Sequence, residues 1–378
     1  MAEAAQGYRL GAQILLHGKW RCLAAALGIA MGVAIMFIEA GFFFGVLDSQ
    51  ARIASLVRGD LVVQHRSRTH LNKWQEFPAI RVSQFRAIDG IADVVPIYKG
   101  TMGLENADSG RVKRIVVYAW RPEDQPLAIG DLEAVASRLK LDRSVLFDRR
   151  SRAIYGDLRE GQEIKLNGRS YRVAGLVDIG PGIVADGAVV MSRGLWLAHD
   201  PGDQPMMGVI RLRPGADLEP VRRRLLELAP AELSVLTPAE LRRQEVLFVA
   251  SAAPIGIIFG IGLLAGLLVG VITCYQVLFN EITDQLRQFA MLKAVGFSNG
   301  FLRRIILAQA LILALLGFAI AVAISYATYA YLAKETALLM QHTGSRLTAV
   351  MLLTVVMCLG AALLAIRRAT FKDPAELI

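Results

Sequence analysis

Charged residues are almost entirely missing from four long stretches of this sequence. No Asp, Glu, Lys or Arg occurs in residues 246–280, 305–333 or 347–366, and residues 22–47 contain only Glu39 from this set. Each stretch has the roughly 20 or more apolar residues that a helix needs to cross a bilayer. Together with a mean hydropathy of +0.44, this pattern excludes an ordinary soluble protein and predicts four membrane spans.

Cysteine and histidine are also scarce. The three cysteines, Cys22, Cys274 and Cys358, all lie within apolar stretches, so the large polar block after the first span can hold no disulfide framework. The histidines are widely separated, and only His65 and His70 lie close in sequence, without cysteines or a third ligand beside them. A metal site is therefore not predicted.

Two common catalytic motifs are absent from the sequence. A phosphate-binding loop needs G-x-x-x-x-G-K-[ST], whose backbone N–H groups and lysine hold the phosphates. A zinc peptidase needs H-E-x-x-H, which places two ligands on one helix face. We therefore expect this chain to have no catalytic residue and to bind no cofactor of its own. The expected role is mechanical.

The basic residues are placed where they would orient a membrane protein. A formal net charge of +9 and a pI near 9.6 could indicate nucleic-acid binding, but these residues cluster beside the apolar stretches, so no nucleic-acid partner is predicted. The positive-inside rule places the three basic segments in the cytoplasm and the large polar block outside it. Their basic residues are Arg9, Lys19 and Arg21; Arg287, Lys293, Arg303 and Arg304; and Arg367, Arg368 and Lys372.

The predicted fold is a membrane protein with four transmembrane α-helices in a 1+3 arrangement. A large extracytoplasmic α+β domain is inserted between helices 1 and 2, and both termini are cytoplasmic. The N-terminal segment is loosely amphipathic and is predicted to lie along the membrane surface. The predicted boundaries are 1–21 (amphipathic helix), 22–47 (span 1), 48–245 (α+β domain), 246–280 (span 2), 281–304 (coupling helix), 305–333 (span 3), 334–346 (outer loop), 347–366 (span 4) and 367–378 (cytoplasmic tail).

The polar block 48–245 shows signals of both strands and helices. Asn167-Gly168 between two alternating segments is a strong hairpin signal. A predicted helix carries Arg222, Arg223 and Arg224, which form either an anionic-ligand patch or a solvated helix face. The predicted strands are 59–64, 114–119, 163–166, 171–177 and 188–191, and the predicted helices are 82–91 and 216–228.

The polar segment 281–304 separates two uncharged stretches. Ile282, Leu286 and Phe289 recur at helical spacing, and Gly296 follows where a helix end favours a left-handed residue. The pattern fits a short amphipathic helix on which another protein could push. It equally fits a solvated connecting loop.

Glycines in the first two spans predict close helix packing. Gly28 and Gly32 are four residues apart, and Gly262, Gly266 and Gly270 lie on one helix face. Such a ridge brings helices together either within one subunit or across a dimer. Glu39 is the single ionisable residue within a span; it is either functional or a carboxylate that reaches headgroup water near the outer interface.

At this point the sequence resembles the permeases of MacB/FtsX-type ABC transporters. LGIAMGV resembles the opening helix of that family, and SVLFDRRSRAIYGDLREGQEIKLNGRSYRVAGL resembles its periplasmic core domain. CYQVLFNEITDQLRQFAMLKAVGFSNGFL looks like the DevC branch, although Gln288 stands where that branch has glutamate. The closing DPAEL is similar to the family's DPAEAL.

The resemblance implies partners and a mechanism. A DevA-like ABC ATPase would bind ATP and Mg and push on the cytoplasmic segments, and two permease copies would pair. A DevB-like adaptor and a TolC-like outer-membrane channel would carry a lipid-like or other amphiphilic substrate away from the inner membrane. The coupling residues it implies are Glu281, Leu286, Phe289, Ala290, Lys293 and Gly296, with a second contact from residues 373–377.

Two other functions remain open at this point. An FtsX-like protein would use the same movement to activate a periplasmic hydrolase, but its extracytoplasmic domain is usually much smaller than residues 48–245. A lipoprotein-releasing permease would share the periplasmic domain, but the DevC-like segment argues against it.

Overall fold

The computed structural model describes residues 13, 15, 18–106, 110–181, 186–252, 254–284, 291, 295–336 and 338–370. These residues form two compact units. The helical unit comprises residues 1–44, 258–332 and 340–378, and the α+β unit comprises residues 45–257 and 333–339. The predicted N-terminal amphipathic helix, except for residues 13, 15 and 18–21, and the tail from 371 onward lie outside the described residues.

The described helices are of two kinds, long apolar ones and short amphipathic ones. A π-helical segment, Phe248–Ala252, and a 3₁₀ turn, Ala153–Tyr155, accompany them. The helices are α1 (Lys19–Gln50), α2 (Arg52–Leu56), α3 (Ile80–Arg86), α4 (Leu132–Leu139), α5 (Arg193–Leu197), α6 (Leu218–Leu228), α7 (Pro238–Leu247), α8 (Pro254–Asp284), α9 (Asn299–Thr336) and α10 (Gly344–Thr370).

Four helices in the described residues are long and apolar enough to cross a membrane, as predicted. They contain the candidate spans Lys19–Gln50, Gly260–Asp284, Asn299–Ala333 and Gly344–Leu364. Most of these helices extend beyond the predicted spans because helical hydrogen bonding continues into the flanking polar residues. The second differs most, since residues 246–257, predicted as part of span 2, belong to the α+β unit.

The helical unit has its own apolar core. Ile29 and Val33 of α1 are completely buried, as are Leu313 of α9 and Ala362 of α10. The thiols of Cys274 and Cys358 lie 3.7 Å apart inside this core and are free. Several buried positions are alanines, such as Ala26, Ala314 and Ala362, and these small side chains allow the helix backbones to approach closely.

The strands in the described residues form one connected set. Its order is β3-β7-β4-β6-β5-β2-β8-β1-β9, and β3 also pairs with β2, which closes a circuit of six strands. The strands are β1 (Leu61–His65), β2 (Ile91–Glu105), β3 (Val112–Trp120), β4 (Ser144–Asp148), β5 (Glu163–Leu166), β6 (Arg169–Val177), β7 (Ala188–Ser192), β8 (Met207–Leu212) and β9 (Leu233–Leu236).

The long strand β2 belongs to two parts of the sheet. Its first half, Ile91 to Ile97, pairs with β8, and its second half, from Tyr98 onward, pairs with β3. The closed circuit surrounds a core that includes Tyr98 and Tyr171. The outer strands β1, β8 and β9 pack against α3 and α6 through Phe85 and Leu225.

Local sequence signals explain several element boundaries. The hairpin at Asn167-Gly168 is confirmed: β5 and β6 pair on either side, and both turn residues have positive φ, +47° and +76°. Thr237 and Glu240 form a capping box at the start of α7, and Pro238 occupies its first turn. Arg222 donates two hydrogen bonds to Glu240 at 2.9 and 3.1 Å, so this arginine joins α6 to α7.

Candidate functional site

The predicted coupling segment is described only at its edges. Glu281 lies in the last turn of α8, where Asp284 forms a 3.0 Å salt bridge with Arg21 of α1. Gly296 has a φ of +105°, the left-handed conformation expected there. Four predicted coupling residues lie outside the described part of the chain: Leu286, Phe289, Ala290 and Lys293.

Apolar side chains around Gly296 are unusually exposed for a polar segment. Val295 is 78% exposed and Met291 58% exposed. Phe297 is 39% exposed and stacks on Phe301, with ring centroids 4.6 Å apart. Exposed apolar groups beside charged residues are typical of a surface that another protein covers.

The same segment contains a G-x-S-x-G pattern, GFSNG at residues 296–300. In α/β-hydrolases this pattern forms a strand-to-helix turn that exposes the serine nucleophile. Here the Ser298 hydroxyl accepts the Phe301 N–H at 3.2 Å at the start of α9. Ser298 is therefore a helix cap.

The predicted packing glycines form a seam between α1 and α8 within one chain. A Cβ placed on Gly32 would lie 3.2 Å from the Cα of Gly270. A Cβ on Gly28 would lie 2.8 Å from Val277, and one on Gly270 would lie 2.9 Å from the sulfur of Met36. Because glycine has no side chain, the two helix backbones approach closely at these positions.

Glu39 lies in the same seam. Its carboxylate covers Gly262, where a Cβ would approach Oε2 to 2.5 Å, and its methylene groups cover Gly266. No described residue forms an ion pair with it. The glycines therefore provide the space in which this carboxylate is accommodated between α1 and α8.

An aromatic cluster surrounds His342 at the start of α10. Its ring stacks on Tyr329 at 4.3 Å and lies 4.1 Å from Tyr326 and 5.7 Å from Phe37. The Tyr329 hydroxyl donates to the backbone carbonyl of Phe37. Burial lowers the pKa of His342, so the neutral imidazole is favoured. The cluster joins α1, α9 and the loop before α10.

A buried carboxylate lies inside the α+β unit, near the end of α7. Glu245 is completely buried; one oxygen accepts the Gln50 side-chain N–H at 2.7 Å and the other accepts the Leu71 backbone N–H at 2.6 Å. Burial raises the pKa of Glu245 to about 7, although both hydrogen bonds oppose this change. Gln50 is the last residue of α1. The Glu245 side chain therefore links the end of α1 to α7 and also binds the loop that contains Leu71.

Buried cations complete this arrangement. Lys99 of β2 donates to the Leu71 carbonyl at 2.9 Å and to Asn72 at 2.8 Å. Burial, together with the charge of Arg68, lowers the pKa of Lys99 to about 7. His70 stacks on Phe248, the first residue of the π-helical segment, with ring centroids 3.9 Å apart. We call Gln50, Arg68, His70, Leu71, Lys99 and Glu245 the root cluster.

The root cluster can transmit movement because buried hydrogen bonds connect its separate elements directly. It links the end of α1, the loop 68–75, strand β2 and helix α7 through short hydrogen bonds in a buried setting. Sequence reasoning did not find it, because Glu245 was assigned only as the last residue of the polar block. One sequence signal for the cluster is Lys99, a charged residue that directly follows the apolar run 94–98 within β2.

Comparisons with known families match both parts of the chain. Residues 23–228 match the family described as MacB-like periplasmic core domain, and residues 260–374 match the family described as FtsX-like permease C-terminal. Among curated proteins, none matches the chain.

Two solved structures that are similar to this chain are extracytoplasmic domains. One is the periplasmic region of MacB from Actinobacillus actinomycetemcomitans, with 12% identity and a TM-score of 0.38, covering 50% of this chain and 92% of that one. Another is the extracellular domain of the noncanonic ABC-type transporter YknZ from Gram-positive bacteria. It has 11% identity and a TM-score of 0.33, and covers 47% of this chain and 99% of that one.

Proposed function

This chain belongs to the MacB/FtsX-type ABC transporter permeases, and we propose that it transmits the movement of a separate ATPase to its extracytoplasmic domain. The observation that carries the proposal is the root cluster. Gln50 ends α1, by which the chain enters the α+β unit, and Glu245 lies in α7, the last α-helix before the chain leaves that unit after Ile257. Glu245 accepts the Leu71 N–H and Gln50 accepts from the Asn72 side chain, so displacement of either helix would move the same loop.

The driving partner is an ABC ATPase of the DevA kind. This chain contains no phosphate-binding loop, so ATP and Mg are held by that separate subunit. It would contact the segment 281–296, where exposed Met291, Val295 and Phe297 flank the predicted coupling residues. An amphipathic helix in a groove of the partner is the expected mode of contact.

The work performed is export of a lipid-like or other amphiphilic substrate. Two copies of the chain would pair in the bacterial inner membrane, with both termini in the cytoplasm and the α+β unit in the periplasm. A DevB-like adaptor and a TolC-like channel would complete the path. The large α+β domain favours this function over FtsX-like signalling, in which the extracytoplasmic domain is usually much smaller.

Purification and an uncoupling variant test the proposal. Affinity purification of the full chain from its native membranes should recover an ABC ATPase and an adaptor, identified by mass spectrometry. Gln50→Ala should leave ATPase binding and ATP hydrolysis in place while reducing export by at least tenfold, because the tie between α1 and Glu245 is removed.

The matched control is Gln84→Ala, which changes an exposed glutamine on α3 and should not affect export. Absence of any ABC ATPase from the purified material would contradict the assignment as a transporter permease. Undiminished export by Gln50→Ala would show that movement passes through other residues.

A further inference from the structure

A cleft of about 350 Å³ opens on the surface of the α+β unit. It lies where α3, the middle of β2 and the start of α5 meet. Three arginines and several apolar residues face it: Ile80, Val82, Arg86, Pro96, Arg121 and Arg193. The transmission mechanism uses none of them.

Arg193 is held in a fixed position at the bottom of the cleft. It donates to both oxygens of Asp203 at 2.8 and 2.9 Å and to the Tyr98 hydroxyl at 2.9 Å. The Tyr98 hydroxyl in turn donates to Asp203 at 2.5 Å. Burial raises the pKa of Asp203, but the bonds from Arg193 and Tyr98 outweigh it and hold this pKa below its ordinary value. Arg193 and Asp203 are thus held in their charged forms.

Arg86 and Arg121 are anchored in a similar way. Arg86 donates from Nε to Asp93 at 2.9 Å and from Nη2 to the Val94 carbonyl at 3.0 Å. Arg121 donates from Nε to Asp124 at 2.9 Å. A guanidinium has more N–H groups than these bonds use, so both retain donors, and each side chain remains about two-fifths exposed (41% and 40%).

The rim of the cleft is apolar. Ile80 is 63% exposed at the start of α3, although side chains of its type are usually buried. Pro96 and Val82 continue the apolar wall into the cleft. A ligand lying along this wall would cover Ile80 while its polar end reached the guanidinium groups.

We propose that this cleft binds an amphiphile through an anionic headgroup. The headgroup, a phosphate or a carboxylate, accepts hydrogen bonds from Arg86, Arg121 and Arg193, and the first methylene groups cover Ile80. Arginine suits this role because its planar fork matches both anions and stays charged at every physiological pH. Each guanidinium is paired with one carboxylate, Asp93, Asp124 or Asp203, but the N–H groups that remain are donors only. A phosphate or carboxylate can accept from them, whereas a quaternary ammonium headgroup cannot.

The inference deepens the proposed function by naming the class of substrate and the site that binds it. It rests on the proposed function only for the statement that the bound amphiphile is the exported substrate. Its test is binding alone, without any ATPase. Hexyl phosphate is titrated into the full chain in lipid nanodiscs and followed by calorimetry; its short chain limits partition into the bilayer. We expect saturable binding with one site per chain, and at least tenfold weaker binding of inorganic phosphate and of hexyltrimethylammonium.

Two variants locate the site. Arg86→Gln should weaken hexyl phosphate binding at least fivefold, because it removes one of the three guanidiniums. Ile80→Asp should abolish it, since a carboxylate at the exposed rim repels the headgroup and removes the apolar contact. The matched control is Leu228→Asp, a similarly exposed position (66%) on α6, which should bind as the wild type does.

Several results would overturn the inference. Equal affinity for inorganic phosphate would show a simple anion site without a tail contact, and equal affinity for hexyltrimethylammonium would show apolar partition alone. Unchanged binding by both variants would place the ligand elsewhere. Failure of wild-type binding would remove the site but leave ATPase copurification, and therefore the proposed coupling function, unaffected.

Discussion

Glu245 and Lys99 show how much depends on single buried side chains. Each is an ionisable group in an apolar setting, and burial moves the pKa of each to about 7 from opposite sides. The Glu245 carboxyl therefore favours its proton while Lys99 favours losing one. A buried polar group without hydrogen-bond partners is costly, so the hydrogen bonds from Gln50 and Leu71 stabilise Glu245 in its buried position.

The raised pKa of Glu245 predicts a specific pH dependence of stability. Between about pH 4.5 and pH 7 the folded state holds a proton that the unfolded state releases, so stability falls as pH rises through this window. The effect is about 3 kcal/mol, or a fall of about 6–12 °C in Tm. Trp74, Trp120 and Trp196 lie in the α+β unit, and their fluorescence reports its melting in the full chain.

Glu245→Gln is the comparison that isolates this carboxyl. The Tm of the wild type should fall between pH 4.5 and pH 7, whereas this contribution is missing from Glu245→Gln, because glutamine does not titrate. The Tm of the variant relative to that of the wild type should therefore rise by that same amount from pH 4.5 to pH 7. Glu163→Gln, an exposed position on β5, is the control and should keep the wild-type pH profile. A pH profile of Glu245→Gln parallel to that of the wild type would show that folding does not raise the pKa of Glu245.

At the scale of secondary-structure elements, the seam between α1 and α8 holds the helical unit together. Gly32 and Gly270 meet backbone to backbone, and Gly262 and Gly266 leave room for Glu39. Membrane helices lack a hydrophobic driving force for association, so this close van der Waals contact replaces it. Larger residues on either helix would separate the pair.

Gly32→Leu should destabilise the helical unit by about 1–3 kcal/mol, since the atom that its Cβ meets belongs to a backbone and cannot rotate away. Gly266→Leu should do the same by displacing Glu39. Thermal aggregation of the detergent-purified chain measures the loss. The control is Gly260→Leu, on α8 like Gly266, where a Cβ has nothing within 4 Å. If Gly260→Leu destabilised the chain equally, close packing would not be the cause.

The coupling segment gives a second prediction at this scale. Phe289→Asp should weaken ATPase binding more than tenfold, because a buried aromatic anchor commonly contributes more than about 2 kcal/mol and an unpaired charge would replace it. Pull-down of the ATPase and ATP hydrolysis in the reconstituted complex are the measurements. Leu228→Asp on α6 is the control, and wild-type binding by Phe289→Asp would show that the segment is only a connecting loop.

At the scale of the whole molecule, orientation in the membrane decides what the α+β unit can reach. The three native cysteines are buried, so an introduced cysteine can be labelled selectively. Glu163 is an exposed position that suits this purpose better than Asn167, whose side chain accepts the Gly103 N–H at 2.7 Å and whose φ is +47°.

Glu163→Cys should react with a membrane-impermeant maleimide added outside the cytoplasm, and Ser298→Cys should react only after the membrane is permeabilised. Lys372→Cys should behave like Ser298→Cys. The physical reason is the excess of Lys and Arg in the short segments, which stay on the cytoplasmic side. Labelling of Ser298→Cys from outside would reverse the orientation and remove the proposed ATPase contact.

The sequence by itself determined the features that depend on local composition. Four apolar stretches identified four candidate spans because a charge within the bilayer is costly whatever the rest of the chain does. Asn167-Gly168 identified the β5–β6 hairpin because few other residue pairs adopt two successive positive φ angles. The glycines marked a close helix contact but left open whether it lies within one chain.

Only the tertiary structure decided which distant residues meet. The closed circuit of strands, in which β2 pairs with β3, β5 and β8, depends on contacts far apart in sequence that no local pattern encodes. The same is true of Glu245, which reaches Gln50 across 195 positions, and of Glu39 over Gly262. A buried charge is recognisable only when its partners are known, because burial and pairing together determine whether the folded state can hold it.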